Sequence, residues 1–149
     1  MKMNRRQVLG LTAGIALVSA TGTRFAFADA PATEKMIMDF AGGKMPATGK
    51  ITLTAPEIAE NGNTVPISVA VESAMTDGDM VQSVLILAEG NPNPDVATFH
   101  FTALSGTAAA TTRMRLAKTQ NVIAIAKMAD GSVFMDKKEV KVTIGGCGG

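Results

Sequence analysis

The sequence predicts an all-β fold, an immunoglobulin-like antiparallel β-sandwich with a short N-terminal helix and a flexible C-terminal tail. Beyond residue 50, apolar residues alternate with polar or small ones, the period of a strand with one buried face. About seven such segments follow at roughly 8–12-residue spacing with turn residues between them, as in sandwich domains. The chain has 149 residues, which is enough for one domain once an N-terminal leader is removed.

The helix is predicted in "ATEKMIMDFAGG", residues 32–43. Met36, Ile37 and Phe40 recur at the spacing of one helical face. Gly42 follows the last of them and predicts the end of the helix, because glycine readily adopts the left-handed conformation found there.

The strands are read from the alternation and the turns between them. Strands are predicted in "ITLTAP" (51–56), "VPISVAVES" (65–73), "MVQSVLILAEG" (80–90), "VATFHFTAL" (96–104), "TAAATTRMRLAK" (107–118), "NVIAIAKMA" (121–129) and "SVFMDKKEVKVTI" (132–144). "NGN" (61–63) and "TDGD" (76–79) predict turns, and "DG" (130–131) predicts a hairpin. The two prolines of "NPNPD" (91–95) require a loop, since proline cannot donate to a strand ladder.

Residues 1–30 have the three parts of an export signal. Positive charge comes first, from Lys2, Arg5 and Arg6, and an apolar stretch follows at residues 8–20. This stretch is too short to span a membrane, which takes about 20 residues. Small residues then offer cleavage near Ala28 to Ala30. The sequence therefore predicts a periplasmic protein with a domain at 31–144 and a tail at 145–149.

The pair Arg5–Arg6 followed by "QVL" predicts export by the twin-arginine route, although Asn4 and Val8 depart from the usual pattern. Ten basic and 12 acidic residues follow the signal, and the sequence has no Trp and no Tyr. A nearly neutral surface gives no reason to expect nucleic acid or a membrane as partner, and tryptophan and tyrosine are absent as platforms on which bases could stack.

The candidate functional residue is Cys147, the single cysteine of the sequence. One cysteine in an oxidising compartment indicates a free thiol or an intermolecular disulfide. Gly145, Gly146, Gly148 and Gly149 flank it, and glycine gives a flexible segment with little bulk. Five residues reach at most about 16–18 Å, so we expect an arm that inserts the thiolate into a narrow pocket. A frayed end with an incidental cysteine is the alternative.

No other residue predicts catalysis or a metal site. His100 lies between two phenylalanines on a strand and is expected to face solvent. The eight methionines after the signal are scattered, which favours core packing over copper ligation. "DKKEVK" (136–141) leads into the tail and is expected to be a solvated face. The sequence contains no paired carboxylates, serine triad, phosphate loop or four-ligand zinc pattern, so we expect no cofactor and a protein that is not an enzyme.

These motifs together resemble the SoxY family, the sulfur-carrier subunit of the Sox thiosulfate-oxidation system. The resemblance lies in the "RR" signal, "TAPEIAENGNTVPISVAVES", "NPNPDVATFHF", "TTRMRLAKTQNVIAIAKMADG" and the terminal "VKVTIGGCGG". They cover most of the chain after the signal, in order, and the tail is the most specific of them.

The resemblance implies an immunoglobulin-type sandwich that pairs with a smaller subunit, SoxZ, exported alongside it. It implies that Cys147 is the covalent attachment point and that its four glycines form the swinging arm. The haem enzyme SoxAX would join thiosulfate to the cysteine, SoxB would release sulfate, and SoxCD, where present, would oxidise the remaining sulfur. The carrier would itself catalyse no step.

Three other functions are compatible with parts of the sequence. An adhesion-type sandwich could use the tail cysteine for a dimer disulfide. A carrier acting through a terminal glycine carboxylate would need ATP, which the predicted export argues against. A copper chaperone would need clustered methionines and histidines, and those in this sequence are scattered.

Overall fold

The computed structural model describes residues 29–146 and confirms the predicted β-sandwich with one N-terminal helix. The elements are α1 (Asp29–Ala41), β1 (Ile51–Thr54), β2 (Ile58–Asn61), β3 (Val65–Val71), β4 (Val81–Ala88), β5 (Asp95–His100), β6 (Ala108–Met114), β7 (Gln120–Met128) and β8 (Val133–Ile144). A one-turn 3₁₀ helix, Ala103–Ser105, follows β5. The seven predicted strands are all present, so the local alternation located them correctly.

The strands form a three-stranded sheet with the order β1-β3-β6 and a five-stranded sheet with the order β2-β8-β7-β4-β5. Neighbouring strands are antiparallel except β2 and β8, which are parallel. In β3, Pro66 pairs with Arg113 of β6, while pairing with β1 begins only at Ser68. Proline has no N–H to donate, so it fits where one side of the strand is unpaired.

The main core lies between the two sheets. In β3 the residues Val65, Ile67, Val69 and Val71 are buried and the intervening ones are exposed or half-buried. The facing side chains of the five-stranded sheet include Val84, Ile86, Val122 and Val140, none of which has any exposed surface. This alternation gives one apolar face per strand, which a two-layer fold requires.

The five-stranded sheet is covered on its outer face as well, by helix α1. Ile37 and Phe40 of the helix pack with Leu87 of β4 and with Ile123 and Ile125 of β7. Because both faces of these central strands are buried, each has a continuous run of five apolar residues instead of an alternation, 84–88 in β4 and 122–126 in β7.

The helix begins at Asp29, three residues before the predicted segment, and its end follows the prediction. Gly42 and Gly43 have φ angles of 63° and 80°. The N–H of Gly43 donates to the carbonyl oxygen of Met38 at 2.9 Å, so the chain turns out of the helix through a left-handed glycine pair. The proposed signal cleavage falls at the edge of the described residues, and the domain division stays a prediction.

Strand β2 is the element that the sequence did not predict. Its residues are exposed except Ala59, because β2 is an edge strand with one side chain directed into the core. A single buried residue produces no alternation to detect. One pairing in the predicted antiparallel sandwich is parallel, that of β2 with the end of β8.

The remaining sequence predictions concern single side chains. His100 is exposed while Phe99 and Phe101 pack against the core, as predicted. Met75, Met114 and Met128 are buried in the core, whereas Met45 is 82% exposed. No helix within residues 29–146 is long and apolar enough to cross a membrane.

Candidate functional site

The candidate site is the place where the C-terminal tail leaves the domain. Strand β8 ends at Ile144, and Gly145 and Gly146 continue from it with described positions. Cys147, Gly148 and Gly149 lie outside the described residues, as do Arg5 and Arg6 of the predicted signal. The structure therefore describes the root of the cysteine-bearing tail.

The tail root is hydrogen-bonded to two loops of the domain. The N–H of Gly62, in the turn after β2, donates to the carbonyl oxygen of Ile144 at 2.7 Å. The carbonyl oxygen of Gly62 accepts the N–H of Leu116 at 2.8 Å, and the carbonyl oxygen of Leu116 accepts the N–H of Gly146 at 2.9 Å. Leu116 thus joins the two glycine segments through its backbone.

Three glycines make this arrangement sterically possible. A Cβ atom on Gly62 would overlap the carbonyl oxygen of Leu116 and lie 2.7 Å from the amide nitrogen of Gly146. A Cβ atom on Gly146 would lie 2.7 Å from the carbonyl oxygen of Gly62, and one on Gly145 would overlap the carbonyl oxygen of Ala117. We call Gly62, Leu116, Ala117, Gly145 and Gly146 the glycine clasp. Only residues without a side chain allow the backbones to approach this closely.

A buried polar pair holds the Leu116 side of the clasp. Asn91 donates from Nδ2 to the carbonyl oxygen of Arg115 at 2.8 Å and accepts the N–H of Ala117 at Oδ1 at 3.0 Å. Gln120 donates from Nε2 to Oδ1 of Asn91 at 2.8 Å and to the carbonyl oxygen of Lys118 at 3.1 Å. The connection between β6 and β7 is therefore fixed by side chains on both of its flanks.

Strand β8 is also fixed just before the tail. The N–H of Val142 donates to Oγ1 of Thr119 at 2.9 Å, and the N–H of Lys141 donates to the carbonyl oxygen of Glu57 at 2.9 Å. In the parallel pairing with β2, Ile144 lies opposite Asn61. The tail thus starts from a strand end that is held on both sides.

Exposed charged groups of both signs lie near the clasp, with Glu60 two residues before Gly62. Arg115 and Lys118 flank Leu116 and Ala117 along the chain. In the stretch 136–141, Lys137, Lys138 and Lys141 are exposed, as the prediction of a solvated face requires. The segment that receives the tail is therefore flanked by positive charge, which favours an anion there.

The two shifted carboxylates lie away from the clasp. The N–H of Ala74, and secondarily the Lys50 ammonium, lower the pKa of Asp79 below its ordinary value. Hydrogen bonds from the side chain and backbone of Ser132 lower the pKa of Asp130. Both carboxylates lie in turns, and both shifts follow from hydrogen bonds that favour the charged form.

A groove of about 440 Å³ lies elsewhere, where helix α1 meets the outer face of the five-stranded sheet. Its lining includes Ile37, Met38, Met45, Ile123 and Met135, with Glu34, Glu89 and Lys137 as the charged groups. None of its lining residues belongs to the glycine clasp. Within residues 29–146, no group of three or more His, Cys, Asp or Glu side chains is placed to hold a metal ion.

The structure describes two of the predicted arm residues, Gly145 and Gly146, which lie against the domain. Their part in a flexible arm stays a prediction. For Cys147, Gly148 and Gly149 the arm remains a prediction. Sequence reasoning missed Gly62, Leu116, Asn91 and Gln120 as supports of the tail, because "NGN" and "NPNPD" indicate turns without showing what the turns contact.

Comparison with known proteins then identifies the family. A family model described as sulfur oxidation protein SoxY matches residues 37–147. The chain belongs to the SoxY family. SoxY proteins belong to the Sox sulfur-oxidation system, with SoxZ as their general partner, and generally act in the periplasm.

The solved structures agree with this assignment. The sulfur carrier protein SoxY from Chlorobium limicola f thiosulfatophilum is 29% identical, with a TM-score of 0.64 over 77% of this chain and 96% of that one. A superoxide reductase (neelaredoxin) from Ignicoccus hospitalis is 21% identical, with a TM-score of 0.56 over 64% of this chain and 81% of its own. The second likeness shows the fold alone. A search of curated proteins found no match.

Proposed function

We propose that this SoxY-family chain carries thiosulfate-derived sulfur covalently on Cys147 and presents it to the enzymes of the Sox system. The observation that supports this best is the family match, which extends through Cys147. The sequence places the thiol between glycines at the end of a chain, and the structure places the root of that segment at a fixed strand end beside exposed basic residues.

The carrier chemistry needs a thiolate, the nucleophilic form of cysteine, whose ordinary pKa is about 8.5. In the first step, the sulfur of Cys147 and the outer sulfur of thiosulfate form a disulfide bond, and two electrons pass to haem-containing SoxAX. In the second step, SoxB adds water to the sulfonate. The bond between sulfane sulfur and sulfonate breaks, sulfate and protons leave, and a persulfide remains on Cys147. SoxCD, where present, oxidises that sulfur further.

In this proposal the chain carries the sulfur intermediates and presents them to the Sox enzymes, and it catalyses none of the steps itself. A persulfide is reactive, so covalent attachment allows several enzymes to act in turn without release of the intermediate. SoxZ is the proposed stable partner, and SoxAX, SoxB and SoxCD are transient ones. The proposed location is the periplasm, reached through the signal of residues 1–30 and the twin-arginine route.

The test is an intact mass of the protein purified from cells grown on thiosulfate, before and after reduction. We expect a reducible adduct of thiosulfate or sulfane sulfur that maps to Cys147 and is lost in Cys147→Ser. A matched control adds Thr48→Cys to Cys147→Ser, which moves the thiol to an exposed loop and should remain without adduct. A bare thiol or a plain protein disulfide in the unchanged protein would contradict the proposal and favour the adhesion-type sandwich.

A further inference from the structure

We propose that Gly62 is a positioning residue for Cys147. Through the glycine clasp it holds Gly145 and Gly146 against the connection between β6 and β7, so that the tail pivots at residue 146 and not at Ile144. This inference rests on the proposed carrier function. It assigns a role to a turn residue that contacts the root of the tail but is far from Cys147 in the sequence.

The contacts of Gly62 carry the inference. Its N–H donates to the carbonyl oxygen of Ile144 at 2.7 Å, and its carbonyl oxygen accepts the N–H of Leu116 at 2.8 Å. It is buried although it lies in a turn. A methyl group at this position would meet the carbonyl oxygen of Leu116 and the amide nitrogen of Gly146. The turn therefore requires glycine because the tail passes so close to it.

The surface that receives the tail is held in place. The side chain of Leu116 has no exposed surface and anchors this segment in the main core. Asn91 and Gln120, which are 3% and 7% exposed, bind the backbone of Arg115, Ala117 and Lys118. A tail root bound to this segment takes up one position relative to the domain.

The position of the pivot decides how far the thiol reaches. Cys147 is bonded to Gly146, so its Cα lies about 3.8 Å from that of Gly146. If Gly145 and Gly146 left the clasp, the pivot would move back to Ile144, and three residues would reach about 10–11 Å. With the clasp closed, the chain continues to Cys147 from a fixed point on the segment 115–118, where Arg115 and Lys118 are exposed.

The first test is amide hydrogen exchange measured on the complete protein by NMR. In the unchanged protein we expect the amide proton of Gly146 to exchange at least about 100-fold more slowly than in a free peptide. In Gly62→Ala we expect most of this protection to be lost. Gly43→Ala is the control for backbone strain without overlap, because its φ of 80° disfavours alanine while the added methyl group meets nothing within 4 Å. It should keep Gly146 protected.

The second test measures the rate at which SoxAX conjugates thiosulfate to Cys147, beside alkylation of the same thiol by iodoacetamide. A displaced reacting atom slows an enzymatic step strongly, so we expect Gly62→Ala to lower the conjugation rate about tenfold or more and to leave alkylation within about twofold. Gly145→Ala, at the end of the chain, should act in the same way, and it replaces Gly62→Ala if that variant does not fold.

Two results would overturn the role of Gly62. One is an amide proton of Gly146 that exchanges as in a free peptide in the unchanged protein. The other is a conjugation rate in Gly62→Ala and Gly145→Ala equal to that of Gly43→Ala. Failure of the carrier function itself gives a different result. Cys147 would then accept no thiosulfate in the unchanged protein, even if the amide proton of Gly146 were protected from exchange.

Discussion

Nε2 of Gln120 lies 2.8 Å from Oδ1 of Asn91, and both side chains are almost completely buried. This hydrogen bond joins the loop after β4 to the start of β7. Both side chains also bind the backbone of the segment 115–118, against which the tail root lies. A polar pair inside the domain thus supports the site at its surface.

Asn91→Ala should lower the free energy of unfolding by about 2–4 kcal/mol, because the carbonyl oxygen of Arg115 and the N–H of Ala117, both in part-buried hydrogen bonds, lose their partner. Urea unfolding followed by circular dichroism measures this change. Asn93→Ala, at an exposed position of the same loop, is the control and should stay within about 0.5 kcal/mol. Equal effects of the two variants would contradict the role assigned to Asn91.

Leu87→Ala should destabilise the protein by about 2–5 kcal/mol, since it leaves a cavity between the five-stranded sheet and helix α1. Leu87 has no exposed surface. Leu104→Ala removes the same atoms from a side chain that is 98% exposed and should change stability by at most about 0.5 kcal/mol. Calorimetric unfolding of both variants tests whether the helix covers this face, and a small effect at Leu87 would show that it does not.

Asp136→Ala should lower stability by about 1–2 kcal/mol. Oδ2 of Asp136, on β8, accepts the N–H of Leu53 at 2.8 Å and so connects the two sheets. The alanine leaves this strand N–H without its acceptor. Glu139→Ala, an exposed carboxylate on the same strand, is the matched control. Chemical denaturation should separate the two variants, and an unchanged midpoint for Asp136→Ala would refute the link between the sheets.

Stability should fall in acid partly through Asp79. Its pKa in the folded protein lies below its ordinary value of 3.8, because the carboxylate accepts the N–H of Ala74 at 2.9 Å and lies near Lys50. A lowered folded pKa stabilises the fold above the unfolded pKa, and this contribution disappears as the pH falls through the folded value.

The measurement is the thermal midpoint between about pH 6 and pH 2. Asp79→Asn should reduce the loss of stability below about pH 4, since the titrating group is gone. Asp77→Asn, an exposed position in the same turn, should follow the unchanged protein. If Asp79→Asn had the same pH profile as the unchanged protein, Asp79 would not contribute to acid sensitivity.

The sequence by itself determined the positions of the helix and of seven strands, as well as the place of Cys147 between glycines. Side-chain alternation is a local property with a period of two residues, so "VPISVAVES" shows its buried face without knowledge of its neighbours. The end of the helix at Gly42 is equally local.

Only the tertiary structure decided what the turns contact. Strand β2 has a single buried residue, so its sequence shows no alternation. It is recognisable as a strand only from its parallel pairing with β8, which is distant in the sequence. Gly62 resembles any turn glycine until its hydrogen bonds to Ile144 and Leu116 are known, together with the bond from Gly146 to Leu116. Close backbone approach depends on how separate segments pack, and no pattern within one segment records it.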